Sequence, residues 1–160
     1  MGLTDYSSME SEIRNAPEPK VLPKGKEVKA RIVSVSSGNS EKYGGALWHN
    51  VTFDVPSDPT IREFKMFQWD PVDRDRVIAV DAQQWSRALD QFNKFTKCFG
   101  IDLSKPFDWE SDLPGKTGWV IGGNPTSDDY GDKGTIGKFV VSPPAAGGKA
   151  AAGTSDDIPF

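Results

Sequence analysis

The sequence predicts a mainly β domain of five strands, with one α-helix between the third and fourth strands and a C-terminal tail without fixed structure. Three observations carry that prediction. Apolar and polar residues alternate over 27–36, 46–55 and 60–69, the period of a pleated strand. Between 81 and 100 the period lengthens to that of an amphipathic helix, with capping residues at both ends. Residues 142–155, rich in Pro, Gly and Ala, cannot bury enough apolar surface to order themselves.

Residues 1–23 are polar and interrupted by Pro17, Pro19 and Pro23, which predicts a loosely held arm with a short helical turn after Thr4. The first strand, 27–36, sets Val28, Ala30 and Ile32 against Lys29 and Arg31; Val33 and Val35 break that parity and predict a bulge near Ile32. Residues 36–45 read as a loop. The second strand, 46–55, places Leu47, His49, Val51, Phe53 and Val55 on a core face, and Ala46, Trp48, Asn50, Thr52 and Asp54 on the other. Tryptophan on a polar face is unusual. After a turn at 56–59, the third strand, 60–69, divides into Arg62, Phe64, Met66 and Gln68 against Ile61, Glu63, Lys65, Phe67 and Trp69.

Residues 70–80 read as a loop with a short extended piece at 77–80. The helix follows: Asp81 is its N-cap, with Gln84 three residues on, and Gly100 is its C′ residue. Trp85, Ala88, Leu89, Phe92, Phe95 and Phe99 recur at helical spacing as its core stripe. The fourth and fifth strands span 116–122 and 135–141, joined by a long loop at 123–134 of the kind that is functional or mobile in a small domain. Three segments result: an arm (1–23), a folded domain (24–141), and a linker with its tip (142–160).

Composition bounds the chemistry. A chain of 160 residues supports one domain with its own core. The net charge of −4 and mean hydropathy of −0.51 fit a soluble chain. No apolar run approaches the ~18 residues of a membrane helix, and the first residues lack the basic-then-apolar order of a signal peptide. A lone cysteine, Cys98, allows no intrachain disulfide and suits a reducing cytoplasm. With His49 the single histidine, no His/Cys zinc site can form, and a Ser-His-Asp triad would have to run through that residue. No cofactor is expected. The acidic total also conceals a basic stretch: residues 24–66 carry seven basic and five acidic side chains, so an anionic ligand there is compatible with the whole.

The most specific signal is the tip, Asp156-Asp157-Ile158-Pro159-Phe160, behind its polar linker. Fourteen flexible linker residues give a reach on the order of 20 Å. Ile158 and Phe160 supply apolar burial, and Asp156, Asp157 and the α-carboxylate favour a basic-rimmed pocket on a partner. Pro159 limits the conformations to be frozen on binding. In these residues the chain resembles the acidic tip of bacterial and bacteriophage single-stranded DNA-binding proteins, and the body is similar in its order of elements alone, as a divergent phage-encoded member would be. The resemblance implies a five-stranded OB-fold barrel, binding of single-stranded DNA, recruitment of replication, recombination and repair proteins through residues 156–160, and a place in the cytoplasm (the host's, if phage-encoded). Oligomeric state stays open, since the family includes monomers, dimers and tetramers.

A second constellation fits that expectation. Trp48, Lys65, Phe67 and Trp69, with Lys29 and Arg31, share one surface if the first three strands are adjacent and antiparallel. Aromatic platforms beside cations are what sequence-tolerant single-strand binding needs, because every base has a π-face and every nucleotide a phosphate. Phe67 and Trp69 read equally well as core. Loops carrying Lys42 with Tyr43, and Tyr130 with Lys133, are placed where OB-folds close over a ligand; Asp128, Asp129 and Asp132 oppose close phosphate contact in the second loop unless a cation intervenes.

Other signals fail. Gly115-Lys116-Thr117 resembles the end of a phosphate-binding loop, but Glu110 stands where its first glycine belongs. The carboxylates of 128–132 suggest a metal-dependent nuclease only weakly, since one flexible loop is a poor metal cage. The expected function is therefore non-enzymatic, sequence-independent binding and protection of single-stranded DNA with partner recruitment by the tip. The alternatives are a protein-interaction module without DNA binding and, more distantly, the nuclease.

Overall fold

The computed structural model describes residues 2–128 and 131–141. Five antiparallel strands, β1 (Glu27–Ser40), β2 (Ala46–Asp54), β3 (Phe64–Trp69), β4 (Thr117–Gly122) and β7 (Ile136–Phe139), form one sheet in the order β3-β2-β1-β4-β7. A separate ribbon pairs β5 (Thr126–Asp128) with β6 (Gly131–Lys133). The helices are α1 (Glu10–Arg14), α2 (Arg74–Val80), α3 (Ala82–Phe99) and α4 (Trp109–Asp112).

Strand β1 is long because it serves two partners. Its first residues, Glu27 to Arg31, pair with β4, and Arg31 to Ser40 pair with β2, with the register shift between Ile32 and Ser34. The bulge lies where the broken parity of Val33 and Val35 predicts it, and a bulge bends and coils a strand. The sheet curls accordingly. Phe95 of α3 lies 6.4 Å from Phe53 of β2 and 5.9 Å from Phe139 of β7, although two strands separate β2 from β7. Phe99 repeats the bridge at 5.4 and 6.3 Å. The main core lies inside this curl: Val28, Ala30, Ile32, Val51, Phe53, Phe64, Met66 and Val120 from the strands meet Phe95 and Phe99.

Asp81 and Gly100 cap helix α3 as the sequence predicts. The Gln84 side chain, however, turns to the Trp69 indole instead of back to the Asp81 N–H, which donates to the Val77 carbonyl. The Asp81 carboxylate accepts from the backbone N–H of Gln83 and of Gln84, and Gly100 closes the helix at φ 66°. Its buried stripe is Trp85, Ala88, Phe95, Thr96 and Phe99; Leu89 is exposed and Phe92 half-buried.

Six further expectations are corrected. Three α-helices, α2, α3 and α4, lie between β3 and β4 where one was expected. Residues 70–80 are helical rather than extended: Asp70 accepts from the Val72 N–H, Pro71 pre-sets the first turn, and α2 follows because Val77 is fully buried in a second cluster with Ala46, Trp69, Trp85 and Ala88. The first strand continues to Ser40, since β2 pairs with it to the end. The third starts only at Phe64, because the chain around Lys20 occupies Thr60 to Arg62, accepting from the Arg62 N–H and donating to Thr60. The arm is correspondingly anchored at its root, where Leu22 is fully buried. The loop at 123–134 contains the β5–β6 ribbon.

Candidate functional site

On the outward face of the sheet, the β2–β3 register sets Trp48 opposite Trp69, Asn50 opposite Phe67 and Thr52 opposite Lys65. Alternation then gathers Trp48, Lys65, Phe67 and Trp69 on one side. The ring centroids of Trp48 and Phe67 are 5.9 Å apart and tilted by 31°, and Phe67 meets Trp69 edge-on at 4.9 Å. Their accessibility divides them. Phe67 is 45% exposed and Trp48 half-buried, whereas Trp69 is only 6% exposed. Tyr43 folds onto Trp69 at 4.6 Å, and the Trp69 indole N–H donates to Gln84 of α3 at 3.1 Å. Trp69 therefore supports the face from beneath and offers little surface of its own.

The turn at 41–45 is braced rather than loose. Gly44 and Gly45 adopt φ of 67° and 87°, and the Gly45 carbonyl accepts from Asn39 (2.9 Å) and from Arg76 of α2 (3.2 Å). This fixes Tyr43 beside the aromatic face, with the Lys42 ammonium 5.9 Å from its ring centroid.

The cations spread along the same side. Lys65 is exposed two residues before Phe67. Arg31 is held by Asp54 through two hydrogen bonds, of 3.1 and 2.6 Å, and this bond and charge raise the guanidinium's pKa above its ordinary value. The guanidinium is thereby committed to a carboxylate and is less available to another anion. Lys29, further along β1, stands opposite Trp119 of β4, which is 47% exposed. From Lys29 to Gly38, the partner of Trp48, β1 runs nine residues, about 30 Å. Lys133 lies on the ribbon, which with Arg62, Glu63, Lys65 and Asp132 lines a cleft of about 380 Å³ at the β3 edge. Tyr130 and the tip residues Asp156, Asp157, Ile158, Pro159 and Phe160 lie outside the described residues.

Trp119 was not singled out from the sequence, yet its signal was there: Val120 faces the core, so alternation turns Trp119 outward. Its backbone carbonyl accepts from Cys98 at 3.1 Å, and burial pushes that thiol up to about 11, leaving it protonated and inert at neutral pH.

On the inner side, Ser37 and Asp70 hydrogen-bond the two ring nitrogens of His49 at 2.6 and 2.7 Å, and Trp109 stacks on the imidazole at 3.8 Å. Burial by itself would raise the Asp70 carboxyl, but the hydrogen bonds from His49 and the Val72 N–H outweigh it and hold the group below its ordinary value. With His49 only 3% exposed, this chain of bonds clasps β1, β2 and the turn after β3 together.

Among the described residues, no three His, Cys, Asp or Glu side chains converge as a metal site, and no helix is long and apolar enough to cross a membrane. A scan of family models finds no match to this chain, and a search of curated proteins finds none either.

Proposed function

We propose that this protein binds single-stranded DNA without sequence preference and that its C-terminal tip recruits partner proteins of replication, recombination and repair. The observation that carries the reading is the Trp48–Phe67 ring pair on the outward face, with exposed Lys65 beside it and Lys29 and Trp119 at the far end of the same face. Bases stack on the rings while the lysines neutralise phosphates, a combination that holds any sequence and keeps the strand from pairing with itself. A five-stranded antiparallel sheet curled around one helix supports the OB-type barrel that the resemblance implies. The tip, Asp156 to Phe160, raises the local concentration of its partners at the strand. A body that resembles the family in its order of elements alone, behind that tip, supports reading the chain as a divergent phage-encoded member acting in the host cytoplasm.

A second reading, a protein-binding module without DNA, is favoured by the Arg31–Asp54 pair and the burial of Trp69, which take two expected contacts out of the groove. Titration with oligo-dT at two salt concentrations, followed by tryptophan fluorescence, separates them. Quenching that weakens at high salt and is lost selectively in Trp48→Ala supports the groove. Absence of both quenching and gel-shift retention overturns DNA binding and leaves the protein-binding module.

A further inference from the structure

Beyond Phe67 the outward face meets helix α3. There Tyr43, Phe67 and Trp69 from the sheet side and Gln84, Arg87 and Gln91 from the helix line a cleft of about 330 Å³. The orientation of each amide follows from its partners. Gln68 donates to the carbonyls of Trp69 (2.8 Å) and Ala88 (2.9 Å), so its oxygen is the atom left to accept from Gln91 (2.9 Å). Gln91 gives its other N–H to the Phe67 carbonyl at 2.7 Å, so its two donors are spent and its side-chain oxygen remains. Gln84 must present its oxygen to the Trp69 indole, which can only donate, so its two N–H groups remain. Among the described residues, the lining thus keeps one free acceptor on Gln91, two free donors on Gln84, an exposed aromatic ring on Phe67 and, on Arg87, an exposed guanidinium with no ion pair.

We infer that this cleft is a nucleotide subsite: one base of a bound single strand leaves the Trp48–Phe67 stack and turns in against α3, and its phosphate pairs with Arg87. The inference rests on the proposed DNA binding and deepens it. The Watson–Crick edge of each base carries both donors and acceptors, which the Gln84 amide and the Gln91 oxygen complement. The guanidinium offers a planar fork to phosphate oxygens. Gln91 is held by the buried Gln68 and the Phe67 carbonyl, and Gln84 by the Trp69 indole, so the subsite is preorganised and little side-chain freedom is lost on binding.

The test is the salt dependence of oligo-dT affinity for the full chain, for Arg87→Ala, and for Lys97→Ala, which removes an exposed α3 cation that does not line the cleft. Each phosphate contact on a single strand contributes about 0.7 to the slope of log affinity against log salt. Arg87→Ala is expected to weaken binding several-fold and lower that slope by about 0.7, with Lys97→Ala unchanged. Equal loss in both variants, or no change of slope in Arg87→Ala while the parent binds, overturns the subsite and leaves the groove standing. Failure of the parent to bind overturns the groove and the subsite together.

Discussion

The Trp48 indole lies over Gly38, its cross-strand partner, so closely that a β-carbon on Gly38 would stand 2.5 Å from Cζ2. The ring is thereby packed against β1 at Gly38, its centroid 5.9 Å from that of Phe67, and only glycine leaves the space for it. Gly38→Ala is expected to displace the indole without unfolding the sheet, since the obstructing atom is the far end of a side chain. Near-UV circular dichroism should change while the far-UV spectrum does not, and oligo-dT affinity should fall several-fold. Unchanged near-UV spectra would show that the ring is not seated on Gly38.

Phe67 and Trp69 occupy the same face yet should respond oppositely to truncation. Phe67→Ala removes an exposed ring and is expected to cost about 1–3 kcal/mol of strand affinity with little change in thermal stability. Trp69→Ala opens a void in the second cluster and should cost about 3–5 kcal/mol of folding stability. Paired thermal melts and DNA titrations check both; a large stability loss in Phe67→Ala would return that ring to the core.

Asp54 restrains Arg31, so Asp54→Asn should release a cation to the groove. The expected result is tighter oligo-dT binding and a salt slope steeper by about 0.7, one added phosphate contact. An unchanged slope would place Arg31 outside the strand's path.

The clasp at His49 predicts a defined acid response. The Asp70 carboxyl has a lower pKa in the folded chain than its ordinary 3.8, so the unfolded chain takes up that proton more readily. Its contribution to stability is fully present above the ordinary value and is lost as pH falls through the lowered one. Urea midpoints measured from neutral pH down through the carboxylate range should drop steeply in the parent. In Asp70→Asn they should start lower and fall less. Parallel curves would mean that Asp70 does not carry this pH dependence.

Much of this was readable from local pattern. Alternation in β2 separated Trp48 from Val51 and Phe53, and the Asp81 and Gly100 signals bounded α3 to the residue. The same alternation over 117–122 turns Trp119 outward. Helix α2 escaped because seven residues give too little periodicity to outweigh an apolar run that also suits a strand. Arg87, Gln84 and Gln91 escaped because a polar helix face carries no mark of what lies beside it.

The sequence by itself determined which side of each strand a residue takes, where α3 begins and ends, and the chemistry of the tip, because parity, capping and composition act over a few residues. Tertiary structure decided the rest. Phe67 and Trp69 have the same parity, and only the arrival of Tyr43 and α3 buries one and leaves the other open. Arg31 reads as a free cation until β2 brings Asp54 beside it, 23 residues away in the chain. Exposure and charge pairing are set by what crosses over a residue, and segments distant in sequence supply that cover.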